Sequence, residues 1–230
     1  MATKKQATTI EIKPMEFATV EFTIAGTAPL IMHAWSEKAK RMMLDKQQKK
    51  ATKAKHDVKI PVNDFIDSMY WLTEKPEHGE TDEEAEANYR AAISKGAKFG
   101  FPLNGIKMSF IQGARRAGLD VVMTELYGAF FVKGATEAST FDLAEVIYDG
   151  EPEMREDNVM VGGMSKTADI RYRGMLSSWR IPLTMTYNVN GRYSLEQLLA
   201  CVTAGGFQCG IGEWRVEKKG QFGMYELVTK

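Results

Sequence analysis

"SLEQLLACVTAGGFQCGIGEWRVEKKGQFGMYELV", residues 194–228, joins a helix, a loop and a strand in one stretch. Ser194 followed by Gln197 has the form of a capping box. The hydroxyl takes an N–H of the first turn and the glutamine amide reaches back to the cap. A helix over "LEQLLACVTA" is predicted, with Gly205 or Gly206 closing it and "QFGMYELV" ending as a strand. From Gly205 to Gly223 there are six glycines in nineteen positions, interleaved with Trp214, Arg215, Lys218 and Lys219. Glycine lets a backbone approach a phosphate and expose its N–H groups, tryptophan offers a stacking face, and the cations supply countercharge. The competing reading is that Gly210, Gly212, Gly220 and Gly223 serve tight turns around a basic-aromatic strand while Trp214 packs inside.

Working outward, "FATVEFTIAG" (17–26) alternates Ala18, Val20, Phe22 and Ile24 with polar residues, the period of a half-buried strand. Ser36 can cap a helix reaching about Lys55, basic on most faces and apolar mainly at Ala39, Met42, Met43, Ala51 and Ala54. So thin a stripe buries little, so this helix needs a partner or a ligand. A second helix after Asn63 turns Phe65, Ile66, Met69, Tyr70 and Leu72 inward, and an acidic one runs from Asp82 to Ile93. "FPLNGIKMSFIQGARRAG" (101–118) reads as a helix capped by Asn104, with Ile106, Phe110, Ile111, Ala114 and Ala117 on one face and Gly118 at its end. Strands follow at "TFDLAEVIYDG", "NVMVGG" and "SWRIPLTMTYNV", with a glycine- and basic-rich segment "GGMSKTADIRYRG" before the last and an Asn190-Gly191 turn after it.

Without the helical segment 36–96, this order is β-α-β-β-α-β. It predicts an α+β fold with a ferredoxin-like, RNA-recognition-type core from residues 1–35 and 97–230 and a helical insertion after the first strand. In such a core two helices cover one face of the sheet, and the other face is open to single-stranded nucleic acid.

Composition narrows the class. The chain has 230 residues, 44% of them hydrophobic, with 30 basic and 30 acidic side chains. It reads as a soluble globular protein with no membrane partner: no apolar run approaches a membrane span, and the polar start "MATKKQATT" lacks the apolar core of a secretion signal. Cys201 and Cys209 have no histidine nearby, which argues against a disulfide scaffold or a zinc site and for a cytoplasmic protein. The zero net charge conceals segregation. Residues 38–59 carry nine Lys or Arg against two Asp, and residues 74–86 carry seven acids against one lysine. Such blocks are solvated faces, or contacts for phosphates or for a complementary patch.

Two nucleotide motifs fail. "GIGEWR" follows a helix and lacks the third glycine of a dinucleotide fingerprint, and "GGMSKT" lacks the glycine before the lysine of a phosphate-binding loop. Arg171, Tyr172 and Arg173 in "DIRYRG" mix ring and guanidinium as single-strand binding requires. No metal-ligand spacing, nucleophile elbow or cofactor signature is present, so neither metal nor cofactor is expected. Of three histidines only His33, beside Trp35 at a strand end, suits a general base, against the plainer role of a hydrogen-bonded structural residue.

The segments "GGFQCGIGEWRVEKKGQFGMYEL", "TIAGTAPLIMHAWSEKA" and "FPLNGIKMSFIQGARRAG" together resemble the RAMP superfamily, the repeat-associated RNA-binding proteins of CRISPR systems. They cover about a third of the chain, in the family's order. The resemblance implies a core that binds single-stranded RNA, most like an effector backbone subunit or a viral or mobile-element relative. It implicates Gly210, Gly212, Trp214, Arg215 and Lys218 in the loop, and Lys107, Arg115 and Arg116 on the proline-led helix. Met108 stands where the family usually has a glycine, and "GTAPLIMHAW" lacks the aspartate of target-cleaving members. The expected function is non-enzymatic binding of single-stranded RNA or ssDNA by a homo-oligomer or filament, with or without other effector subunits. The alternatives are a metal-independent endoribonuclease acting on hairpin RNA through His33, and a protein-interaction module that mimics or docks on a CRISPR complex.

Overall fold

The computed structural model describes residues 14–49, 59–161 and 167–228, and the fold is α+β with two antiparallel sheets. The larger sheet is built on β1 (Phe17–Gly26), which pairs with β8 (Ser178–Asn188) on one side and β9 (Tyr225–Val228) on the other. The far edge of β8 is shared by β4 (Phe130–Gly134) and β5 (Leu143–Asp149), and β5 pairs onward with β3 (Phe99–Pro102). The smaller sheet holds β2 (Leu30–Ile31), β7 (Thr167–Leu176) and β6 (Glu153–Val161), in the order β2-β7-β6.

Alternation along β1 and β8 does what the period demands. Phe22 and Ile24 face Leu183 and Ile181 across the pair, all four buried, while Thr19 and Glu21 pair with Thr186 and Thr184 on the opposite face. Two helices cover the apolar face: α4 (Leu103–Arg116) and α6 (Leu195–Gln208). Phe110 of α4 reaches the rings of Phe22, Phe130 and Tyr225, with centroids 6.2–6.4 Å away. The other face carries threonines, with Phe17 and Phe131 exposed at one end and Lys133 and Arg180 also exposed.

Several boundaries differ from the sequence reading. The Ser194–Gln197 capping box forms, but α6 continues through Gly205 and Gly206 to Gln208. These glycines are packing surface instead of a stop. A Cβ on Gly206 would fall 1.9 Å from the Tyr225 carbonyl oxygen, and one on Gly113 of α4 2.3 Å from the Gly205 Cα. The closing glycine is Gly210, at φ +72°, whose N–H bonds to the Gly205 carbonyl. Asn104 lies inside α4 rather than capping it, since the helix begins at Leu103 behind Pro102, and Ala117 is its exposed C-cap. The described part of the basic segment before β8, from Thr167, is itself strand β7, and α5 (Met123–Ala129) and β4 lack any strong periodic signature in the sequence.

Between residues 36 and 96, α1 (Glu37–Gln47) begins with the Lys40 N–H bonded to the Ser36 carbonyl, and the rest of the expected basic helix, from Lys50, lies outside the described residues. The glycines of "GGMSKT" also lie outside them. Helix α2 (Pro61–Ser68) starts at its proline and stops before Met69, so Tyr70 and Leu72 pack from a loop. Helix α3 (Asp82–Ser94) is capped by Thr81. Val62, Phe65, Ile66, Ala85 and Tyr89 join the same hydrophobic cluster as the sheet residues.

Candidate nucleic-acid interface

The loop between α6 and β9 is knitted into the protein. Ile211 donates to the Gly223 carbonyl, Glu213 to Ile31 and Gly223 to Pro29, tying the loop to the turn before β2. The expected basic-aromatic strand is a single turn of 3-10 helix, Val216–Lys218, because Lys218 and Lys219 donate back to the carbonyls of Arg215 and Val216. The glycines make these approaches possible. Gly212 sits at φ +78°, where a Cβ would lie 2.4 Å from the Ile31 carbonyl oxygen. Their N–H groups are thus largely committed to the fold, and what the loop offers outward is side chains. Trp214, 37% exposed, and the exposed Lys218 and Lys219 stand on its outer surface.

Arg215 is held differently. It donates to the Glu217 carboxylate at 2.9 and 2.7 Å and to the Gly212 carbonyl at 3.0 Å, so its charge is matched within the loop. Beneath lies a cavity of about 370 Å³, lined by His33, Tyr70, Met108, Gln112, Gly210 and Glu213 among others. Met108 and Gln112 share a face of α4 at four-residue spacing, and Arg116 is one turn further on. Arg116 is exposed, and its charge joins that of Arg215 in opposing the rise that burial and Glu217 impose on the Cys209 thiol. Arg116 at the end of α4 and Lys218 and Lys219 on the loop are the exposed cations of these two elements. Arg115 is exposed at the same helix end.

The cavity wall is an ion cluster. His33 Nδ1 lies 3.2 Å from Glu213 Oε1, and Arg173 Nη2 is 3.8 Å from Glu213 Oε2. Arg173 is only 3% exposed and donates to Asp157 at 2.9 Å, while Asp157 also takes the Arg155 guanidinium, which lies over the Phe222 ring. The hydrogen bond from His33, then the Arg173 and Arg215 charges, hold the Glu213 carboxyl below its ordinary value against the cost of burial. Burial, followed by the Glu213 charge, raises the Tyr70 phenol, whose hydroxyl donates to the His33 carbonyl.

A second cavity, of about 270 Å³, opens on the other side of His33 against Trp35, Lys59, Arg171 and Tyr172. Lys59 lies 5.6 Å from the Tyr172 ring centroid and bridges Asp169 and Asp64 at 3.3 and 3.5 Å, and Arg171 faces Asp169 at 3.5 Å. His33 thus joins the loop to the basic stretch of β7.

Not every expected residue converges here. Lys107 is on a different face of α4, its ammonium donating to the Tyr127 carbonyl and resting 5.2 and 4.9 Å from the Phe130 and Phe131 rings. Burial lowers its pKa. Arg173 is enclosed. The sequence reading missed Glu213, Asp157 and Tyr70, which organise the cavity. A lone acid inside the basic stretch "GIGEWR" was the one local sign of Glu213.

Among the described residues there is no cluster of metal-ligating side chains, and no helix is long and apolar enough to cross a membrane. No protein-family model matches the chain, and no curated protein is found to be similar to it.

Proposed function

We propose that this chain is a single-stranded nucleic-acid-binding subunit, with RNA favoured over ssDNA, that repeats along the strand and carries out no chemistry itself. The observation that carries the reading is the outward set at the end of the molecule. Trp214, Lys218 and Lys219 are exposed on the loop and Arg116 on α4, and the loop and α4 together line a cavity that His33 links to Arg171 and Tyr172. A ring beside cations is what a flexible strand recognises, bases stacking while phosphates meet charge. The phosphate-facing role falls to these exposed cations, because Arg215 and Arg173 are already matched by carboxylates.

The connectivity supports the RNA-recognition-type core in the same reading. What supports it is the path β1, α4, β4 and β5, β8, α6, β9 with the sheet order β9-β1-β8-β5, the order expected of such a core. The test is fluorescence anisotropy with poly-pyrimidine RNA and ssDNA across a salt series. Binding that weakens linearly on a log–log plot with salt is expected, and no salt-dependent binding to either strand rejects the reading.

One observation favours a second reading, a metal-independent endoribonuclease. Glu213 engages Nδ1 of His33, which leaves Nε2 to accept a proton from a ribose hydroxyl. Cleavage of hairpin RNA that is lost in His33→Ala supports that reading, and cleavage that survives the change removes His33 as its base.

A further inference from the structure

The described side chains of helix α1 are mostly exposed. Arg41, Met42, Met43 and Leu44 are all exposed, the three apolar ones by 57%, 47% and 51%. Four consecutive residues point to every side of a helix, so this turn of α1 spends no side on the protein's own core. An eleven-residue helix is marginal in water without packing. Flexible methionine and leucine side chains flanked by cations suit a protein groove with an apolar floor and an acidic rim better than a nucleic-acid strand, which asks for rings.

This chain carries a groove of mixed apolar and acidic lining. Beside α3 lies a hollow of about 430 Å³ whose lining includes Pro76, Ala91, Ala92 and Ala97, the acids Glu74 and Glu77, and two lysines. Glu80, Asp82, Glu83 and Glu84, all exposed, continue the acidic stretch into the N-terminal turn of α3. Of the two lysines on the hollow, Lys75 is engaged by Asp67, and the exposed Lys95 is the C-cap of α3. The basic block 38–59, to which α1 belongs, and the acidic block 74–86, which supplies Glu74 and Glu77 to the hollow, are opposite in charge.

We infer that α1 of one copy docks in the acid-lined groove beside α3 of a second copy. The inference rests on the assembly half of the function proposed above and names its contact. The two surfaces differ, so the contact is heterologous: each copy offers one helix and one groove, and repetition gives a ring or an open filament. Opposed charges set the partner and the register, and the methionines supply the apolar contact.

The test uses the full chain free of nucleic acid, followed by analytical ultracentrifugation up to about 100 μM at low and high salt. Two variants each remove one surface, R41E/M43E on the helix and E74K/E77K on the groove, with circular dichroism melts confirming that both fold. The wild type is expected to associate, less so at high salt. Each variant alone is expected to associate at least about tenfold more weakly. Mixed together, the two variants are expected to form 1:1 dimers, because one intact helix then meets one intact groove. A wild type that stays monomeric, variants that associate like the wild type, or a mixture that forms no dimer overturns the inference. So does association that requires added oligonucleotide, since α1 would then bind the strand. Anisotropy with RNA on the same samples separates the two ideas. Strand binding without self-association sinks only this contact, and self-association without strand binding sinks only the binding function.

Discussion

Gly113 of α4 and Gly205 of α6 meet backbone to backbone, and a Cβ on Gly113 would lie 2.3 Å from the Gly205 Cα. Neither backbone can move away easily, because Ser109 Oγ is 3.3 Å from the Gly205 carbonyl oxygen and 2.9 Å from the Tyr225 hydroxyl. This contact sets how closely the two helices sit on the sheet, and through α6 it sets where the loop begins. Gly113→Ala is expected to cost about 3 kcal/mol by overpacking. Gly118→Ala, at φ +69° in open space, should cost only about 1 kcal/mol of backbone strain. Urea denaturation of the two variants checks the difference.

Loss of the outward lysines should change binding and leave stability alone. Lys218→Ala with Lys219→Ala is expected to lower RNA affinity and reduce the slope of log K against log salt by about 2. The melting temperature should not move. Arg215→Ala is expected to do the reverse, lowering the melting temperature with a smaller effect on the salt slope, because it unties Glu217 and the Gly212 carbonyl.

Arg173 belongs to the fold. Asp157→Ala removes its 2.9 Å partner and leaves a buried guanidinium with Glu213 at 3.8 Å. A loss of about 3–5 kcal/mol is expected in denaturant unfolding. Changing Arg173 and Asp157 together to apolar residues of similar volume should recover much of it.

Glu213 gives the protein one source of acid sensitivity. Its pKa is depressed in the fold, so the stability it confers is fully present above the ordinary glutamate pKa and disappears as pH falls through the depressed value. Glu213→Gln should therefore flatten the acid limb of a stability-against-pH curve below about pH 4.5. His33→Ala removes the largest cause of the depression and should flatten it in part.

Both thiols should be silent in the native protein. Burial raises Cys201 and, with the Glu217 charge adding to it, Cys209. Neither is expected to react with a disulfide reagent at neutral pH until the chain unfolds, whereupon both should titrate.

Much of the architecture was readable along the chain. The alternation in β1 and β8, the Ser194–Gln197 box and the apolar face of α4 are local patterns, and a local pattern needs no knowledge of what lies opposite. Strand β7 escaped because its inward positions include Arg173, which only the distant Asp157 and Glu213 make tolerable inside. The glycines at 205 and 206 looked like a helix end because their reason for being small is the presence of Tyr225 and α4.

The amino-acid sequence by itself determined the α+β class of fold, the presence of β1, β8, α4 and α6, and the clustering of glycine, tryptophan and cations near residue 210. Only the tertiary structure decided which of those cations face outward. Arg215 and Arg173 look identical to Arg116 in a string of letters, yet carboxylates from Glu217, Asp157 and Glu213 claim the first two. The physical reason is that a charge is free or spent according to what lies within a few ångströms of it. That neighbourhood is brought together from residues as far apart as 33, 157 and 213.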